Sequence, residues 1–169
     1  MSSSVQINVP LDQVIDQTLD DIQKQLESRA YRAANEMRNS AMIVLRGQRS
    51  GRRYKVPGTF RRQLDKDPAK DPSEWKKKNG RYYTASAPGE PPAVRTGTFR
   101  NSWQPTSRVV LGTYISRIES DVQVGTKRKY LLGELLEDGT PNMEARPHHD
   151  RIRQHAEKAI LRIYNEPYQ

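Results

Sequence analysis

The strongest constraint on the fold is a long run of apolar residues at helical spacing near the start of the chain. They step by four, four and three residues, at Leu11, Ile15, Leu19, Ile22, Leu26, Ala30, Ala33, Met37, Ala41 and Val44. Steps of three and four place side chains on one face of a helix. The pattern predicts an amphipathic helix from about residue 10 to residue 46, roughly 55 Å long at about 1.5 Å per residue.

The apolar stripe of this helix changes along its length. Large aliphatic residues form it up to Leu26, which favours an ordinary core helix for this half, and alanine dominates from Ala30 onward. Small side chains let another helix approach closely, and that helix belongs either to the same subunit or to a neighbouring one. A helix this long exceeds what a domain of 169 residues needs.

Composition narrows the classes of protein to which the chain can belong. Only 34% of its residues are hydrophobic, against roughly 45% in a compact globule, so we expect a single domain, 1–169, stabilised partly by a partner or by oligomerisation. The absence of cysteine excludes disulfides, thiol nucleophiles and cysteine-ligated zinc, and it suits a reducing cytoplasm. The chain has no apolar run near 20 residues and no signal-peptide pattern, so we expect a soluble protein without membrane contact.

One segment supplies the whole net charge. Residues 46–81 hold 13 Lys/Arg and 4 Asp/Glu, a net charge of +9, which equals the net charge of the chain. Glycine and proline are frequent there, so we predict a basic loop insertion at about 47–81. This segment is either a mobile, solvated loop or a polyanion contact for nucleic acid phosphates or an acidic protein face. The candidate contact residues are Arg46, Arg49, Arg52, Arg53, Lys55, Arg61, Arg62, Lys76, Lys77 and Lys78.

The remaining chain predicts short elements of mixed type. Prolines make 82–95 extended, and Thr96 can cap a short helix reaching Trp103. The β-branched run 108–118 predicts the first strand of a hairpin that turns at 119–121, with Gly112 marking a bulge or a break.

The last third of the chain predicts one more long element. Residues 130–136 are too short a run to decide between helix and strand, and 137–140 is a turn. A second amphipathic helix follows Pro147. The predicted class is α+β: a long N-terminal helix, a short middle helix, a small antiparallel hairpin sheet and a C-terminal helix.

Motifs for catalysis are missing from the sequence. It contains no phosphate loop, dinucleotide fingerprint, nucleophile elbow or His-Glu-x-x-His pair. The three histidines, His148, His149 and His155, lie near Asp150, and solvation or packing explains them better than a metal site does. Glu134 is an acidic residue among leucines. A glycosidase would need a second carboxylate opposite it, and the sequence does not identify one. We therefore expect no catalytic residue, no metal site and no cofactor, although a lytic enzyme acting through Glu134 stays an alternative.

Two stretches carry a resemblance to a known family. The first runs from Ala85 through Ser86-Ala-Pro-Gly-Glu-Pro-Pro92 and Thr96-Gly-Thr-Phe-Arg-Asn-Ser102. The second contains Val124-Gly-Thr126, Tyr130, Leu136-Glu-Asp-Gly-Thr140, Met143 and Ala145-Arg-Pro147. In this order and spacing, behind a long helix, they resemble the tail-completion family of tailed bacteriophages, the head-tail joining proteins of the neck. The chain departs from that pattern at Phe99, Asp138 and His148-His149, and its basic segment is long for the family.

The resemblance implies a non-enzymatic virion protein made in the cytoplasm of a bacterial host. Such a subunit forms a ring, commonly hexameric, around the DNA channel of the neck. Its partners would be the head connector or stopper protein on one side and the tail terminator or tail tube protein on the other. In such a ring the basic segment would either contact DNA independently of sequence or dock onto an acidic ring. The alternative is a DNA-binding accessory protein that uses residues 46–81 as its main functional site.

Specific motif residues are candidates for the contact with a subunit or partner. These candidates come from a stiff proline arm, the start of the short helix, a glycine turn and an arginine before proline. They are Pro88, Gly89, Pro91, Pro92, Thr96, Gly139 and Arg146. Stiff residues lose little conformational freedom on docking, and Gly139 suits a turn with positive φ. Turn formation within one subunit is the competing explanation for the same residues.

Overall fold

The computed structural model describes residues 10–47, 49–56 and 81–168. Its longest element is α1 (Leu11–Val44), a helix of 34 residues that confirms the element predicted from the periodicity. Val44 ends it two residues before the predicted boundary, with Leu45 as its C-cap. No helix in these ranges is both long and apolar enough to cross a lipid bilayer.

The ends of the basic segment form a short ribbon instead of a loop. Strand β1 (Arg53–Lys55) pairs antiparallel with β2 (Tyr82–Thr84) in the register Tyr54 opposite Tyr83. The prediction of a loop throughout 47–81 was therefore wrong for residues 53–55. Backbone pairing with a strand beyond the segment stabilises them, and periodicity within so short a run cannot reveal that pairing.

The following elements form the middle of the chain. They are α2 (Thr98–Asn101), the long hairpin β3 (Gln104–Val110) and β4 (Thr113–Glu119), the short pair β5 (Gln123–Val124) and β6 (Tyr130–Leu131), and α3 (Leu132–Asp138). The undecided run 130–136 is thus a short strand followed by a helix. This helix continues to Asp138, so the predicted turn at 137–140 was wrong for its first two residues. Helix α4 (His149–Tyr164) confirms the predicted C-terminal helix.

The hairpin turn lies elsewhere than the sequence predicts. Residues 108–118 are not one strand but parts of two, and the chain reverses at Leu111 and Gly112, with φ of 49° and 73°. Positive φ at both residues is the geometry of the tightest hairpin turns, and leucine rarely adopts it. Of the residues 119–121, predicted to be the turn, Glu119 ends the second strand and the other two follow it.

The core lies where α4 and the β3–β4 hairpin pack on the C-terminal half of α1. Its cluster contains Ala41, Leu45, Trp103 and Ile152. The buried alanines Ala30, Ala33 and Ala34 let α4 approach α1 closely, so the small-residue half of the helix packs within its own subunit. The prediction of a core helix for the aliphatic half was wrong, because α4 and the hairpin pack on the other half and all buried residues of α1 lie from Arg29 onward. The Ser116 hydroxyl donates to the Ala30 carbonyl at 2.7 Å and fixes the hairpin against the same helix.

Candidate interaction groove

A tight turn at residues 87–90 interrupts the first motif stretch, so the prediction of an extended segment over 82–95 was wrong at these residues. The amide of Glu90 donates to the Ala87 carbonyl at 3.1 Å, with Pro88 and Gly89 (φ 73°) between them. Proline at the second position and positive φ at the third are the arrangement of a type II turn. Both central residues are exposed, so Pro88 and Gly89 remain available to a partner.

The carboxylate of Glu90 fastens this turn to the end of the α1 region. It accepts from the Ser50 hydroxyl at 2.7 Å, the Ser50 amide at 3.1 Å and the Ala87 amide at 2.8 Å. Hydrogen bonds to the charged form favour that form, and these donors, the Ser50 side chain first, lower the pKa of Glu90 to about 2. The turn and the residues after α1 therefore form one unit at neutral pH.

The next two prolines are internal. Pro91 and Pro92 are buried, and the Arg49 guanidinium donates to the Pro92 carbonyl at 3.1 Å and to the Val44 carbonyl at 2.9 Å. These two prolines therefore contact their own subunit. Arg49, predicted as a polyanion contact, instead holds the proline segment against the C-terminus of α1.

The second motif stretch lies directly beside the first. The Gly89 amide donates to the Ala145 carbonyl at 3.3 Å, and Arg151 of α4 donates to the Gly89 carbonyl at 3.0 Å. Gly139 has φ 80° and ψ −172°, a conformation that is essentially restricted to glycine. A Cβ there would lie 2.7 Å from the Met143 carbonyl oxygen. The fold requires this glycine, and it brings residues 143–146 back to α3.

The two stretches together enclose an apolar groove of about 520 Å³. Its walls include Pro92, Val94 and Phe99 from the first stretch and Leu132 and Leu136 from α3. Thr96 lines it too, and its hydroxyl accepts from the amide of Thr98, the first residue of α2. The groove is of the size that proteins use for ligands or partner side chains, about 300 to 1,000 Å³.

Three arginines give the groove its charge. Arg95, Arg100 and Arg146 line it, and no carboxylate does in the described part of the chain. The Nη1 of Arg146 is buried without a hydrogen-bond partner there. A buried donor without an acceptor is costly. The groove therefore offers apolar contact together with unneutralised positive charge.

An aromatic cluster packs against Phe99, one of the residues that line the groove. The rings of Phe99, Trp103 and His148 lie 5.5 to 5.9 Å apart in edge-to-face contacts. His148 is completely buried. Burial lowers its pKa, against the opposing effects of the Arg146 carbonyl and Glu137. His148 thus packs against aromatic rings while its Nδ1 stays 3.1 Å from the Arg146 carbonyl oxygen.

Glu137, His148 and His149 have ligand atoms within 4.8 Å of one another, so they could in principle hold a metal ion. However, a single oxygen of Glu137 accepts from the His148 amide at 2.8 Å and the His149 amide at 3.3 Å, and lies 2.7 Å from His148 Nδ1. This oxygen caps the N-terminus of α4, where the helix leaves amides without partners. The arrangement serves as a helix cap.

The other residues of the histidine group lie apart from this site. The Nδ1 of His155 lies 3.0 Å from the Ser40 hydroxyl, and Asp150 pairs with Arg153. The structure therefore does not join the three histidines and Asp150 in one cluster. Glu134 is exposed on α3 and does not line the groove.

The predicted polyanion contacts divide into three groups. Arg46, Arg52, Arg53 and Lys55 are exposed, whereas Arg49 is engaged internally as described above. The remaining ones lie outside the described residues: Arg61, Arg62, Lys76, Lys77 and Lys78. On the ribbon, Arg53 lies over the Tyr82 ring, 4.6 Å from its centroid, and Tyr54 stacks with Tyr83.

Several residues of the site were not found by sequence reasoning. Arg95 and Arg100 lie inside the first motif stretch. That they line the same groove as Leu132 and Leu136 depends on tertiary packing. The Pro-Gly-acid order around Glu90 signals a turn, yet nothing local identifies Ser50 as its partner. No protein-family model, curated protein or solved structure matches this chain.

Proposed function

We propose that the chain is a non-enzymatic structural subunit of a bacteriophage neck. It completes the tail and joins it to the head connector by forming a ring around the DNA channel. Its neighbours in this proposal are the head connector or stopper protein and the tail terminator or tail tube protein. Its final location is the virion, after synthesis in the bacterial cytoplasm.

One observation supports the proposal most directly. The two motif stretches that carry the family resemblance, which run from Ala85 to Ser102 and from Val124 to Pro147, both line one apolar groove. Motif residues that converge on a surface groove are typical of a contact with another molecule. The Gly89–Ala145 and Arg151–Gly89 hydrogen bonds hold the groove together.

A ring also agrees with the way the subunit is built. Its core is small and rich in alanine, and large apolar side chains of α1 remain exposed. Heterologous contacts between identical subunits close into a ring when the rotation between neighbours permits it. A ring would bury apolar surface that one copy leaves in water.

The test is electron cryomicroscopy of the particle that carries this gene, with mass spectrometry of its proteins. We expect density for a closed ring of this chain between connector and tail tube. A matched particle from which the gene is deleted should lack that density and fail to join heads to tails. A purified particle without this protein would contradict the proposal.

The basic ribbon supports a second candidate, sequence-independent DNA binding. Arg52, Arg53 and Lys55 are exposed beside Tyr54 and Tyr82, which are 45% and 46% exposed. Basic side chains bind phosphates, and exposed aromatic rings add stacking with bases. This contact is compatible with a ring lumen or with a DNA-binding accessory protein.

Fluorescence anisotropy on unrelated duplexes tests this second candidate. The double variant Arg52→Glu with Arg53→Glu should bind all duplexes more weakly and reduce the slope of log affinity against log salt by about 0.9 per lost phosphate contact. The matched control is the double variant Arg108→Glu with Lys158→Glu, which makes the same change in net charge at two exposed positions outside the ribbon. Equal losses in the control would assign binding to general charge and not to the ribbon.

A further inference from the structure

The N-terminal half of α1 carries apolar side chains that nothing in the described part of the chain covers. Leu11, Val14, Ile15 and Leu19, here named the free stripe, are 71%, 44%, 47% and 59% exposed. All buried residues of α1 lie from Arg29 onward. The free stripe has the i, i+3, i+4 and i+8 spacing by which helices anchor in apolar grooves.

Negative charge accompanies the free stripe. Asp12, Asp16 and Asp20 are each one residue beyond a stripe leucine or isoleucine, so they form a parallel row on the helix. Residues 10–28 contain five acidic residues and one lysine, a net charge of −4. The surface is therefore apolar along one line and acidic beside it.

The groove between the motif stretches has the complementary character. Its walls are apolar, and its charged lining residues are Arg95, Arg100 and Arg146. None of the three forms an ion pair within the described part of the chain, where the salt bridges involve other residues. An incoming helix that brings both leucines and aspartates would supply both kinds of contact that the groove lacks.

The tip of the β3–β4 hairpin is the competing occupant on the same molecule. Leu111 is 100% exposed and Val109 and Val110 are 50% and 39% exposed. The nearest charged residue to this tip in sequence is Arg108, and the tip has no acid. Positive charge in the groove therefore favours the acidic helix over the hairpin tip.

We propose that the free stripe of one subunit docks into the groove of the next, with the row of aspartates facing the groove arginines. This inference rests on the proposed ring and names the two surfaces that join its subunits. The two surfaces differ, so the contact is heterologous, and each subunit gives a helix to one neighbour and a groove to the other.

Two single variants disable one surface each. Leu19→Lys puts a cation into the free stripe, and Val94→Glu puts an anion into the groove wall. Both positions are exposed, at 59% and 37%, so both variants should keep the circular dichroism spectrum and thermal midpoint of the wild type. Leu161→Lys, at a 55% exposed position on α4, is the matched control for the charge and the loss of leucine.

Sedimentation velocity at increasing concentration provides the measurement. The wild type and Leu161→Lys should assemble, and each disabled variant should raise the dissociation constant by about tenfold or more. An equal mixture of Leu19→Lys and Val94→Glu should form a dimer and nothing larger. In that mixture the intact free stripe of Val94→Glu meets the intact groove of Leu19→Lys, and the other two surfaces of this pair are disabled.

Three results would overturn the inference. They are a wild type that stays monomeric at its solubility limit, a disabled variant that assembles like the wild type, and a mixture that does not form dimers. A cross-link from the groove to the hairpin tip of another subunit would likewise assign the groove to the competing surface. These experiments use purified protein and no phage particle, so they do not test the neck proposal, which electron cryomicroscopy of the particle tests. A protein that is absent from virions could still form the expected dimer.

Discussion

At the scale of single residues, buried and bridging polar groups supply much of the stabilisation that large apolar side chains supply in other proteins. Leu45 and His148 are the largest fully buried side chains in the described ranges. Glu90, Arg49 and Glu137 each connect segments distant in sequence through two or more hydrogen bonds. Loss of these hydrogen bonds should therefore lower the stability of the whole fold.

Glu90→Gln should lower the urea midpoint at pH 7, because the amide accepts more weakly from Ser50 and Ala87 than the carboxylate does. The pKa of Glu90 is depressed to about 2, so its contribution exists above the unfolded pKa of about 4.5 and is lost as pH falls through about 2. The two proteins should converge in stability towards pH 2. Glu157→Gln, an exposed glutamate of α4, should match the wild type at every pH.

The free energy of unfolding should also decrease as pH falls below about 6.5. Burial lowers the pKa of His148 in the folded chain, so the unfolded chain binds more protons in this range and stability rises with pH. Denaturant titrations between pH 7.5 and about 5 measure the slope. His148→Gln should flatten it, whereas His149→Gln, an exposed neighbour, should keep it.

At the scale of elements, tight turns decide how the two motif stretches meet. Gly89 and Gly139 both have positive φ, and each is followed by a backbone contact that joins neighbouring segments. Their surroundings differ. A Cβ at Gly89 would meet no atom within 4 Å, whereas at Gly139 it would meet backbone of residues 143–145.

Gly89→Ala and Gly139→Ala therefore form a matched pair. The first should cost about 1 kcal/mol from the left-handed backbone alone and lower Tm by about 2 to 4 °C. Gly139→Ala adds a clash with the Met143 carbonyl at 2.7 Å and should lower Tm at least twice as much. Differential scanning calorimetry checks both, and equal shifts would show that the surrounding backbone relaxes.

At the scale of the whole molecule, the fold separates a packed half from surfaces that remain exposed. The C-terminal half of α1, the hairpin and α4 form the core. The free stripe, the basic ribbon and the hairpin tip lie outside it, and the groove opens beside it with Leu45 in its wall. This division is the arrangement expected of a subunit that completes its burial of apolar surface by assembly.

The core should not depend on residues 57–80. The Val56 amide donates to the Arg81 carbonyl at 2.8 Å, so the two ends of that segment are already joined. Replacing 57–80 with Asn-Gly, a favoured two-residue hairpin loop, should change Tm by less than about 4 °C. Removal of seven Lys/Arg and four acids should weaken binding to duplex DNA. Unchanged DNA affinity would exclude these residues from the contact.

Periodicity and local chemistry determined α1, α4 and the turn glycine at 139. These features depend on residues within about four positions of one another, so the sequence pattern alone reveals them. The α+β class follows from the same signals. The family resemblance and its ring remain predictions.

Only the tertiary structure decided the rest. It placed the hairpin turn at Leu111 because strand pairing holds a leucine in a conformation that it avoids by itself. It turned Arg49 inward, buried His148 between aromatic rings and united residues 92–100 with 132–146 in one groove. Each outcome depends on contacts between segments tens of residues apart, and no local pattern of residue types specifies such contacts.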